Sequence, residues 1–248
     1  MRSLTIVIPT YNEVENIATL LPLLADVATR NPDFSVQVCV VDDSSPDRTA
    51  DAARVAGEAL ETASFSVRVL SRASKDGLGA AYVWAFGRIV DAPDAPDYVL
   101  QMDADLSHDP RYIDEFLQAA REGADFVVAS RYIPGGSTPD WTLDRKFLSR
   151  GGNLYTRFFL GSGLTDYTGG FNLFSSDLLR RIDFTRVSAS GYGFQIVLKY
   201  RALNLARTVR EIPIVFMDRT VGTSKIPTNT LRKNLVLVLS LRFGRAAR

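Results

Sequence analysis

Tyr98-Val99-Leu100-Gln101-Met102-Asp103-Ala104-Asp105 is a short, mainly apolar run that ends in two carboxylates one residue apart. The turn residues Pro93-Asp94-Ala95-Pro96 precede it, so it reads as a strand buried on both faces. The pattern recurs on either side. Residues 4–8 are apolar but for Thr5 and lead into Pro9-Thr10-Tyr11-Asn12-Glu13. Residues 36–41 lead into Asp42-Asp43-Ser44, and residues 126–129 into Ser130-Arg131-Tyr132. Residues 67–70 form a further short run. Between the first two runs, Val14, Ile17, Leu20, Leu21, Leu24 and Val27 recur at helical spacing. Near-continuous apolar strands alternating with helices predict an α/β fold with a mostly parallel central sheet and helices on both faces.

The second half is less regular. Residues 143–160 and 194–203 read as helices, 165–174 as a glycine-rich irregular stretch, 209–216 as a strand and 229–243 as a last helix. Asn12 with Glu15 suggests a capping box, and Ser45-Pro46 an N-cap followed by a proline at the first helical position.

The chain has 248 residues, 46% apolar and 23% charged, which suits one sizeable globular core. A net charge of +1 provides no global field to recruit nucleic acid. The single cysteine, Cys39, lies in the apolar run Val38-Cys39-Val40-Val41 and reads as a buried thiol. The N-terminal apolar stretch stops at Pro9, short of a signal-peptide core, and residues 235–241 are far short of a membrane span. Cytosolic chemistry is the expectation.

Ligands of such sheets bind beyond the carboxyl ends of the strands, where this chain places its acids. No glycine-rich phosphate loop follows the first strand, and Gly77-Leu78-Gly79 is incomplete and misplaced for one. The only histidine is His108, which leaves little material for histidine-based triads or multi-histidine metal sites. Asp103-Ala104-Asp105 suits a hard divalent cation bridging a diphosphate, and a helix N-cap before Pro110 is the plainer alternative. Asp42 and Asp43 fit either a capping turn or acceptors for a ribose or base. Glu13 fits an early-helix acid, Tyr11 simple packing, and Arg131, Arg150, Arg219 and Lys225 solvated surface charge. The basic segment from Asp218 to Lys225 follows a strand and suits closure over a diphosphate.

Together, Ile8-Pro9-Thr10-Tyr11-Asn12-Glu13, Val41-Asp42-Asp43-Ser44-Ser45-Pro46-Asp47 and Met102-Asp103-Ala104-Asp105-Leu106-Ser107-His108 resemble the family 2 glycosyltransferases. Ser130-Arg131-Tyr132, Ser149-Arg150-Gly151-Gly152-Asn153 and the stretch from Asp218 to Lys225 narrow the likeness to dolichyl-phosphate (polyprenyl-phosphate) mannose synthases. The resemblance spans residues 4–225. It implies a GT-A fold, a GDP-mannose donor, a polyprenyl phosphate acceptor, and Mg²⁺ or Mn²⁺. By position it implies that Pro9, Tyr11, Glu13, Val41 and Asp43 hold the nucleoside, and that Asp103, Ala104 and Asp105 hold metal and donor. Arg131, Arg219 and Lys225 would meet the donor phosphates and Arg150 the acceptor phosphate, with Asp105, Arg131 and Arg150 as the catalytic set. A family 2 enzyme using UDP-glucose or another donor, and a non-catalytic nucleotide-sugar-binding subunit, are the competing readings. Ser107, Asn172 and Val197 depart from residues common in the family at those positions.

Residues 1–227 are expected to form the catalytic domain and residues 228–248 a basic C-terminal helix. Leu231, Leu235, Val238, Leu239 and Leu241 lie among Arg232, Lys233, Arg242, Arg245 and Arg248. That composition fits a helix lying on an anionic membrane surface, and equally a helix packed on the domain or on an integral membrane partner protein. The expected location is the cytoplasmic face of a membrane.

Overall fold

The computed structural model describes residues 1–187, 193–218 and 230–244. Seven strands form one sheet: β1 (Arg2–Thr10), β2 (Phe34–Asp42), β3 (Phe65–Ser71), β4 (Tyr98–Gln101), β5 (Phe126–Ser130), β6 (Asn172–Ser175) and β7 (Val209–Pro213). Their order is β3-β2-β1-β4-β6-β5-β7, and β6 alone runs antiparallel to its neighbours. The helices are α1 (Val14–Arg30), α2 (Thr49–Leu60), α3 (Leu78–Val90), α4 (Ile113–Arg121), α5 (Leu143–Leu160), α6 (Ser176–Arg181), α7 (Gly193–Leu205) and α8 (Thr230–Phe243).

The two-residue period of the strands sorts the core into two layers. Leu4, Ile6 and Ile8 of β1 face a layer with α1 and α4, while Val7 faces one with α3, α6 and α7. Both faces are buried, which is why the strands read as continuous apolar runs. Cys39 belongs to the second layer, and burial pushes its thiol up to about 12, so it is an inert core residue.

β6 falls inside the stretch whose sequence reads as irregular. It is four residues long, starts at the polar Asn172 and follows Gly169-Gly170, so no apolar period marks it. It wedges between β4 and β5 and pairs with both. The start of α1 also differs from the capping-box expectation. Asn12 sits at φ 59°, and Glu13, rather than Asn12, is the cap residue. The free N–H groups there donate to the β2–α2 loop instead: Glu13 N to Thr49 Oγ1 at 3.0 Å and Val14 N to Asp47 Oδ2 at 3.2 Å. Likewise α2 starts at Thr49, not at Pro46, with Asp47 accepting from the Thr49 N–H. One loop thus closes two helix ends and ties the first two strand ends together. In α8, Val238 and Leu241 are buried in the second core layer.

Candidate active site

Register places the acids side by side. Thr10 lies opposite Asp42 across β1 and β2, and Val7 lies opposite Gln101 across β1 and β4. The chain therefore leaves the sheet at Met102, and Asp103-Ala104-Asp105 emerge next to the ends of β1 and β2. Asn12, Ser44 and Leu106, just past those three strands, all have left-handed backbone (φ 59°, 57° and 61°). For leucine that costs about 1–2 kcal/mol, and such strain concentrates where geometry serves a ligand.

The Asp103 and Asp105 turn is held from several sides. The Asp103 N–H donates to His108 Nδ1 at 2.9 Å, so the His108 proton resides on Nε2. His108 stacks on Phe171 with centroids 4.8 Å apart, and burial lowers its pKa, leaving a neutral ring that braces the turn. The Tyr82 hydroxyl of α3 donates to the Met102 carbonyl at 2.8 Å and lies 3.1 Å from Asp103 Oδ1. Burial, with Asp103 next to it, keeps that phenol protonated. Asp105 Oδ1 accepts from the Ser107 N–H at 3.1 Å and from the Ser107 hydroxyl at 2.6 Å. Ser107 thus orients Asp105. Gly170 faces this turn from the β6 side. A Cβ there would lie 3.3 Å from Gln195 Nε2, a tight approach, and in ordinary contact with His108 Cε1 (3.4 Å) and Asp103 Oδ2 (3.6 Å).

The donor set is two carboxylates, and among the described residues no group of three His, Cys, Asp or Glu forms a cage. That fits a hard cation held by one or two carboxylates, with water and substrate phosphates completing its shell. Asp103 and Asp105 are the residues that would hold it.

Asp42 and Asp43 take different partners. Asp42 builds the turn, its Oδ1 accepting from Thr10 Oγ1 (3.0 Å) and Ser45 Oγ (2.6 Å) and its Oδ2 from the Ser45 N–H (3.0 Å). Asp43 accepts from Arg72 Nη1 with both oxygens, at 2.8 and 3.0 Å, in a buried ion pair, and Arg72 Nη2 reaches Asp76 at 3.1 Å. Tyr11 is exposed, with the Lys75 ammonium 3.5 Å from its ring centroid. Glu13 accepts from Asn16 at 2.6 Å. The Val41 and Ala104 side chains are buried in the core layers, so only their backbone can meet a ligand.

Arg131, expected as a phosphate contact, sits in a buried network. Its Nε and Nη2 donate to the two Asp166 oxygens at 2.7 and 2.8 Å, and Nη2 also reaches Thr168 Oγ1 at 2.8 Å. The rings of Tyr132, Trp141 and Phe216 surround the guanidinium with centroids 5.2–5.5 Å away. Burial alone would raise the Asp166 carboxyl, but Arg131 and Lys199 outweigh it and hold it well below the usual carboxylate range. Lys199 is fully buried and donates to the Asp166 carbonyl at 2.8 Å; burial pulls its pKa down to about 8. Asp166, Lys199, Tyr82 and Arg72 carry no motif and were not legible as site residues. Arg150 is exposed on α5. One residue earlier, Ser149 Oγ lies 2.5 Å from the Tyr132 hydroxyl. Arg219 and Lys225 lie outside the described residues. Asn172 is buried and donates to Gln101 Oε1 at 2.9 Å, while Val197 is an ordinary core residue of α7.

Comparison with known proteins places the chain in a family. The chain is 40% identical to an undecaprenyl-phosphate mannosyltransferase of Micrococcus luteus over 248 residues, covering all of this chain and 96% of that protein. It is 37% identical to a polyprenol monophosphomannose synthase of Mycolicibacterium smegmatis, over 94% of this chain and 84% of the relative. Among solved structures, the Pyrobaculum calidifontis mannosyltransferase PcManGT in complex with GDP-Man and Mn²⁺ superposes with a TM-score of 0.59 at 18% identity, over 99% of this chain and 64% of that one. Mannosyl-3-phosphoglycerate synthase from Rubrobacter xylanophilus gives 0.57 at 21%, over 96% and 72%. These two likenesses speak to the fold, which is that of the GT-A glycosyltransferases. The model of glycosyl transferase family 2 matches residues 5–183, and the chain belongs to that family.

Proposed function

We propose that this glycosyltransferase moves mannose from GDP-mannose to a polyprenyl phosphate, with inversion at the anomeric carbon. The observation that carries the reading is the 40% identity, end to end, with an undecaprenyl-phosphate mannosyltransferase. The strand-end carboxylates and the Arg131 network supply a site of matching chemistry. On this reading Pro9, Tyr11, Glu13, Asp43 and the Val41 backbone hold the nucleoside. A divalent ion, when bound by Asp103 and Asp105, neutralises charge on the diphosphate. Arg131 acts from inside its ion pair; Asp166 and Thr168 take Nε and Nη2, so we assign the phosphate contact to Nη1. Arg219 and Lys225 complete the donor side.

A prenyl phosphate is largely anionic near neutral pH, so it needs no strong base. Its oxygen attacks the anomeric carbon as the bond to the diphosphate breaks, and the electron pair leaves with GDP. The chain's work is to hold the two in line and to stabilise the leaving charge. An α-linked donor then gives a β-linked product.

The direct test is transfer of label from GDP-mannose into extractable lipid by purified protein given a short polyprenyl phosphate, with UDP-glucose as the competing donor. Label in lipid from GDP-mannose, as the β-anomer, is expected. Transfer from UDP-glucose alone, or none to lipid, would overturn the reading.

Two substitutions assign roles. Arg150→Ala is expected to raise KM for the prenyl phosphate about tenfold or more, leaving KM for the nucleotide sugar unchanged, because a guanidinium fork matches phosphate oxygens. Equal effects on both substrates would remove the assignment. Asp43→Ala is expected to weaken nucleotide binding about 10- to 100-fold. From sequence alone this substitution reads as silent for stability. The buried Arg72 pair changes that expectation to a loss of about 1–3 kcal/mol, limited because Arg72 keeps Asp76, and visible as a lower melting temperature. Titration calorimetry separates the effects, since unaltered affinity with a lower melting temperature would leave Asp43 only as a partner for Arg72.

A further inference from the structure

Three amide side chains meet beside the Asp103 turn, each from a different element: Gln101 of β4, Asn172 of β6 and Gln195 of α7. All three are buried. Asn172 Nδ2 donates to Gln101 Oε1 at 2.9 Å and reaches Gln195 Oε1 at 3.5 Å. A donor on that side fixes which way the Gln195 amide points, because its own NH₂ group cannot face another. The oxygen turns to Asn172 and the NH₂ group to Gly170. Phe194, the neighbour of Gln195, stacks on Tyr82 with centroids 5.9 Å apart and rings 2° from parallel, and the Tyr82 hydroxyl bonds the Met102 carbonyl. The start of α7 is thereby tied to the turn that carries Asp103.

Gln195 is only 6% exposed, yet among the described residues its Nε2 makes no hydrogen bond. A buried donor without a partner is costly, and native structures leave few of them. The Cβ that Gly170 lacks would lie 3.3 Å from Nε2 and 3.6 Å from Asp103 Oδ2, so the unpaired donor and a carboxylate of the metal turn border one space.

Strand order indicates which part of a donor substrate comes there. The sheet runs β2-β1-β4-β6-β5 through the site. On the proposed reading the nucleoside lies at the ends of β2 and β1 and the diphosphate at the end of β4. β6 is next, and because it is antiparallel its beginning, with Gly169-Gly170 just ahead of it, lies at that same edge. The sugar is bonded to the diphosphate and so follows it toward β6, with Arg131 beyond at the end of β5. A neutral amide donor suits a hydroxyl, whereas a phosphate is better served by a cation.

We propose that Gln195 is a specificity-determining residue, its Nε2 donating to a hydroxyl of the donor sugar. The inference rests on the nucleotide-sugar reading of the site and adds the part of the donor that reading left without a residue.

The test compares wild type with Gln195→Met, which is close in volume and has no donor. Calorimetry in Mn²⁺ gives the affinity for GDP, and transfer to a short prenyl phosphate gives kcat/KM for GDP-mannose and its 2-, 3-, 4- and 6-deoxy analogues. The variant is expected to keep its melting temperature and its affinity for GDP, and to lose about 10- to 100-fold in kcat/KM for GDP-mannose. Wild type should lose a similar factor with one of the deoxy analogues, and the variant should lose nothing further with that analogue, as two changes to one contact do not add. Gln195→Asn keeps the amide but shortens its reach, and should show the same split between GDP affinity and transfer. Undiminished transfer, equal losses in GDP affinity and transfer, or a variant that still penalises every deoxy analogue as wild type does would overturn the proposal. Failure of the donor reading looks different: wild type would transfer from UDP-glucose and not from GDP-mannose, and Gln195→Met would still weaken that transfer while sparing UDP affinity.

Discussion

Asp105→Asn is expected to fold normally and to lose about 10²–10³-fold in kcat, the usual cost of one preorganised electrostatic contact in a transition state. The expectation of normal folding is structural. Asp105 Oδ1 takes two bonds from Ser107, and the amide oxygen of asparagine can take both. What disappears is the charge. The site then offers a divalent ion one carboxylate in place of two, so the residual activity should require much more Mg²⁺ or Mn²⁺. Asp105→Ala should be at least as impaired, and it also releases Ser107. A chelator should abolish wild-type transfer and added metal restore it. The separating measurement is a metal titration of turnover beside a thermal melt. Near-normal turnover with an unchanged metal requirement would remove Asp105 from the centre of the site, and with it the assignment of the Asp103-Ala104-Asp105 turn. Ser107→Ala is a milder probe of the same geometry, because it removes only one donor that orients Asp105.

Strand ends were legible because burial and chemistry meet there. A parallel sheet covered on both faces forces apolar runs, so the first polar residue after each run marks where the chain leaves the sheet. Pro9 to Glu13, Asp42-Asp43 and Asp103 to Asp105 stood out on that basis. β6 did not, because a four-residue antiparallel strand opening on Asn172 has neither length nor period. The supports of the site were illegible for a related reason. Tyr82 and Lys199 lie on helices whose other residues are largely core, and a buried phenol or ammonium at such positions looks like packing until its partner is seen. Asp166 lies 35 residues from Arg131 in a stretch without periodicity. Capping was misread because the N–H donors of α1 find acceptors in the β2–α2 loop rather than in the next turn of their own helix. In α8 the apolar residues that nearly encircle the helix divide between two environments. Val238 and Leu241 join the core and Phe243 stays exposed, a division that sequence spacing left open.

The buried network around Asp166 carries the largest expected effect on stability. Asp166 neutralises Arg131 directly, and its carbonyl anchors Lys199, so two buried cations converge on one residue. Its Oδ1 also accepts from the Thr168 and Gly169 N–H groups at 3.1 and 3.0 Å, shaping the turn that carries Gly170 to the Asp103 carboxylate. Asp166→Ala strands Arg131 in a buried setting and should cost about 3–5 kcal/mol. In a chain of this size that lowers the melting temperature by about 6–20 °C. Asp166→Asn keeps the acceptor for the turn and should lose less stability. Because the folded carboxyl titrates below its unfolded range, its contribution is complete above the ordinary carboxylate pKa of about 4 and is lost as pH falls through the folded value. Acid destabilisation should therefore be shallower in Asp166→Asn than in wild type. Stability and activity can then be separated by removing both partners. The double substitution Arg131→Leu with Asp166→Leu removes the stranded guanidinium, leaves Lys199 on the backbone carbonyl of residue 166, and should recover part of the stability lost in Asp166→Ala. Transfer should stay low, because the phosphate contact assigned to Arg131 is gone. Recovery of both stability and turnover in the double variant would show that the pair is structural only, and the donor diphosphate would have to find its charge elsewhere.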